Sequence, residues 1–331
     1  MKKTTILLVA LLLSCICYAQ DTFSIIAVDP DTGEVGSAGA SCVTGIGAQG
    51  IIDIITDIIP GKGGVNSQAF VCIPNTNLQN AIVRMQEGDS PSEIITWLMG
   101  NDACSSQNFD PAFRQYGIAD LDDNNNPRTA GFSGVNTDDY KEDRQGANYS
   151  VQGNILLNQT VIDNMETNFT TTDGTLADKL MAALQGANFA GADSRCLAAG
   201  TSSTTAYLTV YAADDTPGNP TIRLNIGEQA SGVEPIDLLQ EAYDELLSVE
   251  ENALALGIQI YPNPTAQDIT FTKVSTIEIK HVTIYDVLGK IVKESKGENI
   301  DKISVFELTP AIYFAKVATN NATVTLRFIK K

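Results

Sequence analysis

The sequence predicts an α+β fold of layered strands and helices, followed by a small all-β domain. Over the first 230 residues, groups of strand patterns alternate with two pairs of helix patterns, an order typical of an α+β sandwich rather than a doubly wound sheet. After Gly257, short alternating strands are interrupted by Pro, Gly and Asn, as in a β-sandwich. A chain of 331 residues has room for both. We expect domain boundaries at 20–230, 231–257 and 258–331.

Residues 1–19 have the pattern of a secretory signal peptide. Two lysines precede an apolar run, and Ala19 ends a small-residue cleavage site, so that cleavage leaves Gln20 first. A lipobox, LLSC, with Cys15 lipidated, is the alternative interpretation. No later stretch is long and apolar enough to cross a bilayer, so we expect an exported protein without a transmembrane segment.

The first domain opens with strands and then two helices. TFSIIAVDPDTGEVGSAGASC predicts two strands joined by a DPDTG turn, and GGVNSQAFVCI predicts a third. In NTNLQNAIVRMQEG, the residues Leu78, Ile82 and Met85 share one helical face. In SPSEIITWLMG, Ser90 and Glu93 have the spacing of a capping box.

The remaining elements repeat this order. RQYGIADLDDNNNPRTAGFSG predicts two strands around a polar turn, and NYSVQGNILLN predicts another. Two helices follow, in TVIDNMETNF and GTLADKLMAALQGA, and the strands TSSTTAYLTVYAA and PTIRLNIG complete the sheets. The acidic amphipathic sequence EPIDLLQEAYDELLSVEENALAL predicts a last helix before the all-β domain.

The net charge of −19 is unevenly distributed. Residues 20–254 carry 9 basic and 33 acidic side chains, a net charge of −24, whereas residues 255–331 carry 10 basic and 7 acidic ones, a net charge of +3. A domain with this negative charge repels the phosphate backbone of nucleic acids, and we therefore expect no nucleic-acid partner.

Four cysteines remain after the signal peptide, an even number that predicts disulfides in an exported protein. No CxxC pair occurs among them, which argues against a zinc site. We expect Cys104 to pair with Cys196, because both lie in polar segments flanked by Ser or Gly. Cys42 and Cys72 each end a strand-like run, and they are either paired or simply buried.

The segment DLDDNNN resembles the start of a calcium-binding loop through Asp120, Asp122 and Asn124. It lacks the Gly and the Glu that such a loop has at its sixth and twelfth positions, where Asn125 and Gly131 stand. We therefore favour a turn between two strands over a weak calcium site, and expect no cofactor.

The first domain contains no histidine, because the only one in the chain is His281. This excludes a Ser-His-Asp or Cys-His mechanism and a histidine-ligated metal there. Amides and hydroxyls interrupt two otherwise apolar strands, at Ser67-Gln68 and at Gln152-Gly153-Asn154. Buried amides need partners, so these four polar residues form either hydrogen bonds in the core or the wall of a ligand pocket.

The C-terminal region resembles the type A sorting domain of the Bacteroidetes type IX secretion system. The resemblance rests on YPNPT, VTIYDVLGKIV, LTPAIYFAKV and the lysine-ended last strand. Ala311 departs from the family pattern, which usually has Gly before the aromatic residue. The resemblance implies that residues 258–331 engage the type IX secretion machinery, which delivers the protein to the cell surface or the medium.

The first domain resembles the family called domain of unknown function 1028 (DUF1028). The segments that carry the resemblance are TFSIIAVDPDTGEVGSAGAS, GGVNSQA, RQYGIAD, YSVQGNIL, LADKLMAALQ and GADSRC. This family is similar in fold to the N-terminal nucleophile (Ntn) hydrolases, which implies a four-layer αββα sandwich.

Thr22 occupies the position at which such a hydrolase has its nucleophile, and the free α-amine of that residue would act as the base. Gln20 and Asp21 precede it after the expected cleavage, so the mechanism requires a second cut. Asp193 and Arg195 in GADSRC are the next candidates, because they can pair and orient each other toward a substrate carboxylate. A loop salt bridge is the alternative interpretation.

Two functional hypotheses follow. The first is an exported amide-bond hydrolase with Thr22 as its nucleophile. The second is a non-catalytic extracellular domain that binds a small polar or peptide ligand near Asp193 and Arg195. A structural surface protein without a small ligand remains a third interpretation.

Overall fold

The computed structural model describes residues 22–255, 257–273, 277–287, 289–320 and 323–331. The expected signal peptide, residues 1–19, and the alternative lipidation site at Cys15 lie outside the described residues. We call residues 22–255 the body and residues 257–331 the tail.

The body is a mixed α+β structure with two antiparallel sheets. Its elements in chain order are β1 (Thr22–Val28), β2 (Val35–Ser41), α1 (Ile52–Ile55), β3 (Thr56–Ile59), β4 (Gly63–Gln68), α2 (Thr76–Glu87), α3 (Pro91–Gly100), β5 (Gln115–Leu121), β6 (Pro127–Ser133), β7 (Tyr140–Gln145), β8 (Tyr149–Leu156), α4 (Thr160–Thr171), α5 (Leu176–Gly186), β9 (Thr205–Tyr211), β10 (Ile222–Ile226) and α6 (Pro235–Ala255). The first sheet has the order β10-β9-β2-β1-β8-β7, and the second has the order β3-β4-β5-β6.

The strand β1 is covered on both faces, which explains its almost unbroken apolar sequence. Phe23 and Ile25 belong to the core formed with the helices α4, α5 and α6, whereas Ile26 belongs to the core shared with the second sheet. Because side chains alternate along a strand, the even-numbered positions of β1 face the second sheet. Ser24 therefore lies between the two sheets.

The helices α2 and α3 pack on the other face of the second sheet, against Val65 and Ile118. The amide oxygen of Asn75 caps the start of α2 by accepting from the main-chain N–H of Leu78 (3.2 Å). Gly88 ends α2 with φ 103°, a conformation that residues with a side chain rarely adopt.

Three short elements of the body were not predicted from the sequence: α1, β3 and β7. The sequence of β7, YKEDRQ, is highly charged and resembles a loop. It forms a strand because it pairs with β8 at the edge of the first sheet, where charged side chains can reach water.

A buried ion pair joins two loops at one end of the second sheet. Arg114 precedes β5, and its guanidinium contacts the carboxylate of Asp102 (2.7 Å) with both side chains 1% exposed. The same guanidinium donates to the main-chain oxygens of Phe70, Cys104 and Ser106. One side chain thus satisfies acceptors from both the β4–α2 loop and the α3–β5 segment.

The expected Cys104–Cys196 disulfide is wrong: Cys42 pairs with Cys196, and Cys72 pairs with Cys104. Cys72 follows β4 and Cys104 precedes β5, which are neighbouring antiparallel strands, so both cysteines lie at the same end of the sheet. Cys196 is brought to Cys42 at the end of β2, where the two Cα atoms are 5.8 Å apart. Strand neighbours, rather than the polarity of flanking residues, determine the pairing.

The tail is all-β, as expected. Its strands are β11 (Gln259–Tyr261), β12 (Asp268–Thr272), β13 (Ile279–Asp286), β14 (Ile291–Lys296), β15 (Lys302–Ser304), β16 (Ala311–Thr319) and β17 (Thr323–Lys330). They form sheets of three strands (β11-β12-β15) and four strands (β14-β13-β16-β17) around one core. Within the described residues of body and tail, no helix is long and apolar enough to span a membrane.

The disulfide pairing can be tested directly. Digestion without reduction, followed by mass spectrometry, should yield one cross-linked peptide pair with Cys42 and Cys196 and another with Cys72 and Cys104. A peptide pair joining Cys104 to Cys196 would contradict the fold at this end of the body.

We expect Arg114→Met to lower the free energy of unfolding by about 3–5 kcal/mol, because it leaves the Asp102 carboxylate buried without its counter-charge. Urea denaturation of the purified protein measures this. Arg223→Met is the control, because Arg223 pairs with Asp53 at the surface and such pairs contribute about 1 kcal/mol or less. Equal effects of the two substitutions would show that the buried pair has no special role.

Candidate functional site

The strand register brings many strand ends together at one end of the body, which we call the Thr22 end. Thr22 is paired with Ser41, and Ser41 with Thr205, so the start of β1, the end of β2 and the start of β9 lie side by side. In the second sheet, Gln68 at the end of β4 is paired with Gln115 at the start of β5. The Nε2 atom of Gln68 donates to the main-chain oxygen of Thr22 (2.9 Å), which joins the two sheets there.

Backbone strain is concentrated at the Thr22 end. Eight described residues other than glycine have a positive φ, and seven of them lie in strand ends or loops at this end: Ala69, Phe70, Gln107, Asn108, Phe109, Asp139 and Ile155. Such conformations cost about 1–3 kcal/mol each and cluster at functional sites. This end of the body is therefore the candidate site.

Gln115 organises a buried network of amides between the sheets. The two N–H groups of its Nε2 atom are shared among three acceptors: the main-chain oxygens of Gly153 (2.8 Å) and Glu142 (3.1 Å) and Oγ of Ser133 (2.7 Å). Main-chain oxygens only accept, so the orientation of the Gln115 amide is determined and its Oε1 must face the interior. This oxygen accepts from Gln68 and from Asn154, at 2.8 and 2.9 Å.

The orientation of the Gln115 amide also determines which atoms of the next side chains donate and which accept. Because Nε2 of Gln68 is used as a donor, its Oε1 accepts from the hydroxyl of Ser24 (2.7 Å). The Ser24 oxygen in turn accepts from Nε2 of Gln152 (2.7 Å) and from Nδ2 of Asn66 (3.1 Å). The Oδ1 atom of Asn66 accepts from Ser37 (2.9 Å). Every one of these side chains is fully buried.

Two further residues complete the network. The hydroxyls of Ser37 and Tyr207 lie 2.9 Å apart, and burial raises the pKa of Tyr207 well above its ordinary value, so the phenol stays protonated. Gly117 in β5 leaves room for Gln152: a Cβ atom there would lie 1.8 Å from Oε1 of Gln152. The glycine of RQYGIAD thus lets an amide of the first sheet lie over the second sheet.

Three of the four residues expected to bind a ligand, Gln68, Gln152 and Asn154, belong to this network. Ser67 does not, because alternation along β4 turns it to the opposite face, where its hydroxyl contacts Asn75 (3.4 Å). Gln115 was not predicted as a site residue, although a glutamine at the start of a buried strand is itself a signal of polar pairing.

Ser24 is held as a structural hydrogen-bonding group. Its hydroxyl donates one hydrogen bond and accepts two, all with neutral amides, and no imidazole, carboxylate or amine is among these partners. A serine needs an adjacent base to act as a nucleophile. The network is therefore a rigid polar core that supports the Thr22 end.

Thr22 is the first residue of the central strand β1 and is fully buried. It is two residues from Ser24, so its side chain faces the layer between the sheets. Its main-chain oxygen is bound by Gln68, as described above. The residue stands at the edge of the amide network, with β2 on one side and β8 on the other.

Asp193 and Arg195 form the expected pair beside the end of β2. Asp193 is fully buried, and its carboxylate accepts from Nε (2.9 Å) and from the terminal NH₂ (2.6 Å) of Arg195. It also accepts from the main-chain N–H of Cys42 (2.8 Å). The disulfide of Cys42 with Cys196 reinforces this contact. The Asp193 carboxylate thus holds the loop at the end of β2. The positively charged side chain of Arg195 is 30% exposed to solvent.

The residues of the suggested calcium loop lie at the end of β5 and in the β5–β6 turn, at the end of these strands opposite the Thr22 end. Asp120 receives two hydrogen bonds from Arg128, at 2.9 and 2.6 Å. Asp122 accepts from the main-chain N–H groups of Asn124 and Asn126 and from the Asn126 side chain, bonds that lower its pKa. Both carboxylates therefore stabilise a turn.

Exposed apolar side chains surround the Thr22 end. Of the seven large apolar side chains that are exposed in the described body, five lie in loops at this end: Ile73, Phe109, Val135, Leu157 and Leu197. The loops that carry Phe109 and Val135 are joined where Asn136 donates to the main-chain oxygen of Ala112 (2.8 Å). We call these five side chains the apolar rim; they lie at the same end of the body as the buried amide network.

A separate cleft of about 410 Å³ opens at the side of the body, between the edges of the two sheets. Asp53, Asp57, Tyr211 and Arg223 line it. Burial, and the neighbouring Asp53 carboxylate to a lesser degree, raise the pKa of Asp57. The sequence analysis did not predict this cleft, which the chain forms from β3, β9 and β10.

We expect Ser24→Ala to destabilise the body by about 2 kcal/mol or more, because it leaves two buried amide donors and one amide oxygen without a partner. Thermal or urea unfolding measures the loss. Ser92→Ala, at an exposed position of α3, is the control and should change stability by less than about 0.5 kcal/mol. An unchanged stability of the Ser24 variant would refute the network as a structural core.

The tail identifies where the protein goes. Residues 259–331 match the family model of a secretion system C-terminal sorting domain. This domain indicates transport by the type IX secretion machinery across the outer membrane, to the cell surface or the extracellular space.

Residues 22–235 match the family model described as a family of unknown function, DUF1028. No curated protein matches the chain. The crystal structure of a protein from Silicibacter pomeroyi, which carries the same family model, is similar with a TM-score of 0.51 and 23% identity, covering 68% of this chain and 88% of that one. At this identity the likeness shows the fold alone. Because the DUF1028 model covers more than half of the chain, the protein belongs to the DUF1028 family.

Proposed function

We propose that the protein is an exported amide-bond hydrolase in which Thr22, once freed as the first residue, is the nucleophile. The position of Thr22 supports this most directly. It is the first residue of a central, fully buried strand, at the end where the strained backbone, the amide network and the Asp193–Arg195 pair meet. The resemblance of DUF1028 sequences to Ntn hydrolases, whose nucleophile begins such a strand, also supports this proposal.

The packing of the layers is consistent with the αββα arrangement of those hydrolases. Helices α4, α5 and α6 cover the first sheet, helices α2 and α3 cover the second, and the two sheets contact each other. We propose that the body is a four-layer sandwich of this type.

The proposed chemistry uses the α-amine of Thr22 as its base, because the body has no histidine. An α-amine has a pKa near 8, so a substantial fraction is neutral at physiological pH. It removes the proton from the Thr22 hydroxyl while the oxygen attacks the amide carbon, and then passes that proton to the leaving amine. Water releases the acyl group from the resulting ester. In this proposal the guanidinium of Arg195, whose side chain is partly exposed, binds an anionic group of the substrate.

The second candidate is a non-catalytic domain that binds a peptide or a small polar ligand at the same end. The apolar rim favours it, because exposed apolar side chains clustered around a polar centre are typical of binding surfaces. In that case the N-terminus remains extended or blocked, and no turnover occurs.

We expect the protein recovered from its native host to begin at Thr22, as shown by intact mass and N-terminal sequencing. A panel of amide substrates should then be hydrolysed, with Thr22→Ala slower by about a thousandfold or more because it removes the nucleophile. Thr22→Ser should retain activity, since it keeps a hydroxyl and an α-amine.

Ser194→Ala is the matched control, because Ser194 is a half-buried residue beside Asp193 whose hydroxyl donates to the Asp139 carboxylate (3.3 Å), and its loss should leave turnover unchanged. A mature chain that begins at pyroglutamate from Gln20 would contradict the hydrolase and favour the binding domain.

A further inference from the structure

The side-chain oxygen of Asn154 is a buried hydrogen-bond acceptor with no donor. Asn154 is fully buried, and its Oδ1 is one of three buried side-chain N or O atoms of the described residues that have no partner. The amide cannot be turned to remove this defect. Its Nδ2 must donate to Oε1 of Gln115, because the Gln115 amide is oriented by the main-chain oxygens of Gly153 and Glu142. Because buried polar atoms are almost always hydrogen-bonded, this oxygen needs a donor.

The β1–β8 register points to Asn154 as the neighbour of Thr22. In this ladder, Ser24 is paired with Gln152 and Phe23 with Gly153, so the same register continued by one residue brings Asn154 to the position across from Thr22. Asn154 lies on the same face as Gln152, whose side chain contacts Ser24 directly (2.7 Å). By the same alternation, the side chains of Asn154 and Thr22 face the same interior layer.

The backbone holds Asn154 in this position against a conformational cost. Ile155, the next residue, has φ 51°, which is strained for a β-branched side chain. Its main-chain N–H donates to the oxygen of Asp138 (3.1 Å), and the β7–β8 register shifts at this point. The strained residue and the unsatisfied oxygen are therefore neighbours, beside the start of β1.

We propose that Oδ1 of Asn154 accepts a hydrogen bond from the α-amino group of Thr22 after the preceding residues have been removed. This rests on the proposed function, and it makes Asn154 a positioning residue for the base. A neutral amine has two N–H donors and one lone pair. When Asn154 binds one N–H, the rotation of the amine is restricted and its lone pair is directed toward the Thr22 hydroxyl, from which it takes the proton.

The test uses the chain Thr22–Lys331, released from an N-terminal tag by a protease that leaves Thr22 first. The pKa of the α-amine is measured by trace labelling with acetic anhydride over a range of pH, with the N-terminal peptide quantified by mass spectrometry. Asn154→Leu removes the acceptor at similar volume, and Asn154→Asp keeps an acceptor and adds charge. Asn225→Leu is the matched control, because Oδ1 of Asn225 is also buried without a partner, but lies in β10.

An acceptor stabilises the ammonium form, so its loss in Asn154→Leu should lower the pKa of the amine by about one pH unit. Asn154→Asp should raise this pKa by about one pH unit or more, and Asn225→Leu should leave it unchanged. If Asn154→Leu does not fold, an unchanged pKa in Asn154→Asp overturns the assignment. Equal pKa values in the wild-type chain and all variants also overturn it.

This measurement is independent of turnover. A shifted pKa in a chain that hydrolyses no amide would support the position of Asn154 and contradict the hydrolase. Turnover without any shift in the pKa of the amine would support the hydrolase and contradict the role of Asn154, since the base would then act without it.

Discussion

The orientation of one amide, that of Gln115, determines the interior of the body. Its nitrogen is bound to two main-chain oxygens, which can only accept, so its own oxygen must accept from Gln68 and Asn154. The direction of each hydrogen bond through Ser24 follows from this. A buried polar network stabilises a fold only when its members are satisfied together, because each unpaired group carries its full desolvation cost. The contact between the two sheets is therefore specific as well as apolar.

The same network limits the chemistry available between the sheets. Amides and hydroxyls, with a phenol that stays protonated, neither gain nor lose a proton readily near neutral pH. Asp193 pairs with Arg195 and accepts from the main-chain N–H of Cys42, which holds its loop at the end of β2. In the mechanism that we propose, the base is therefore the α-amine that proteolysis would create at Thr22, at the end of the body where the strained loops lie.

The sequence predicted every helix of the body except the short α1, most of its strands and the all-β tail, because apolar periodicity and turn residues are local signals. It did not predict β7, whose charged residues form a strand only through pairing with β8. The polar runs near Gln68 and Gln152 correctly indicated buried amides. Alternation along β4 would have excluded Ser67, but only once the inner face of that strand was known. The cysteine pairing depends on which strands are neighbours, and single-sequence patterns do not contain that information.

Both disulfides lie in loops at the Thr22 end, so the covalent structure of this end depends on the redox state of the compartment that holds the chain. In the reducing cytoplasm the four cysteines stay as thiols, so the loop that carries Asp193 lacks its covalent link to the end of β2. The bonds close only after the chain has left that compartment. The Thr22 end therefore reaches its disulfide-bonded form only outside the cytoplasm, during the export that the tail directs.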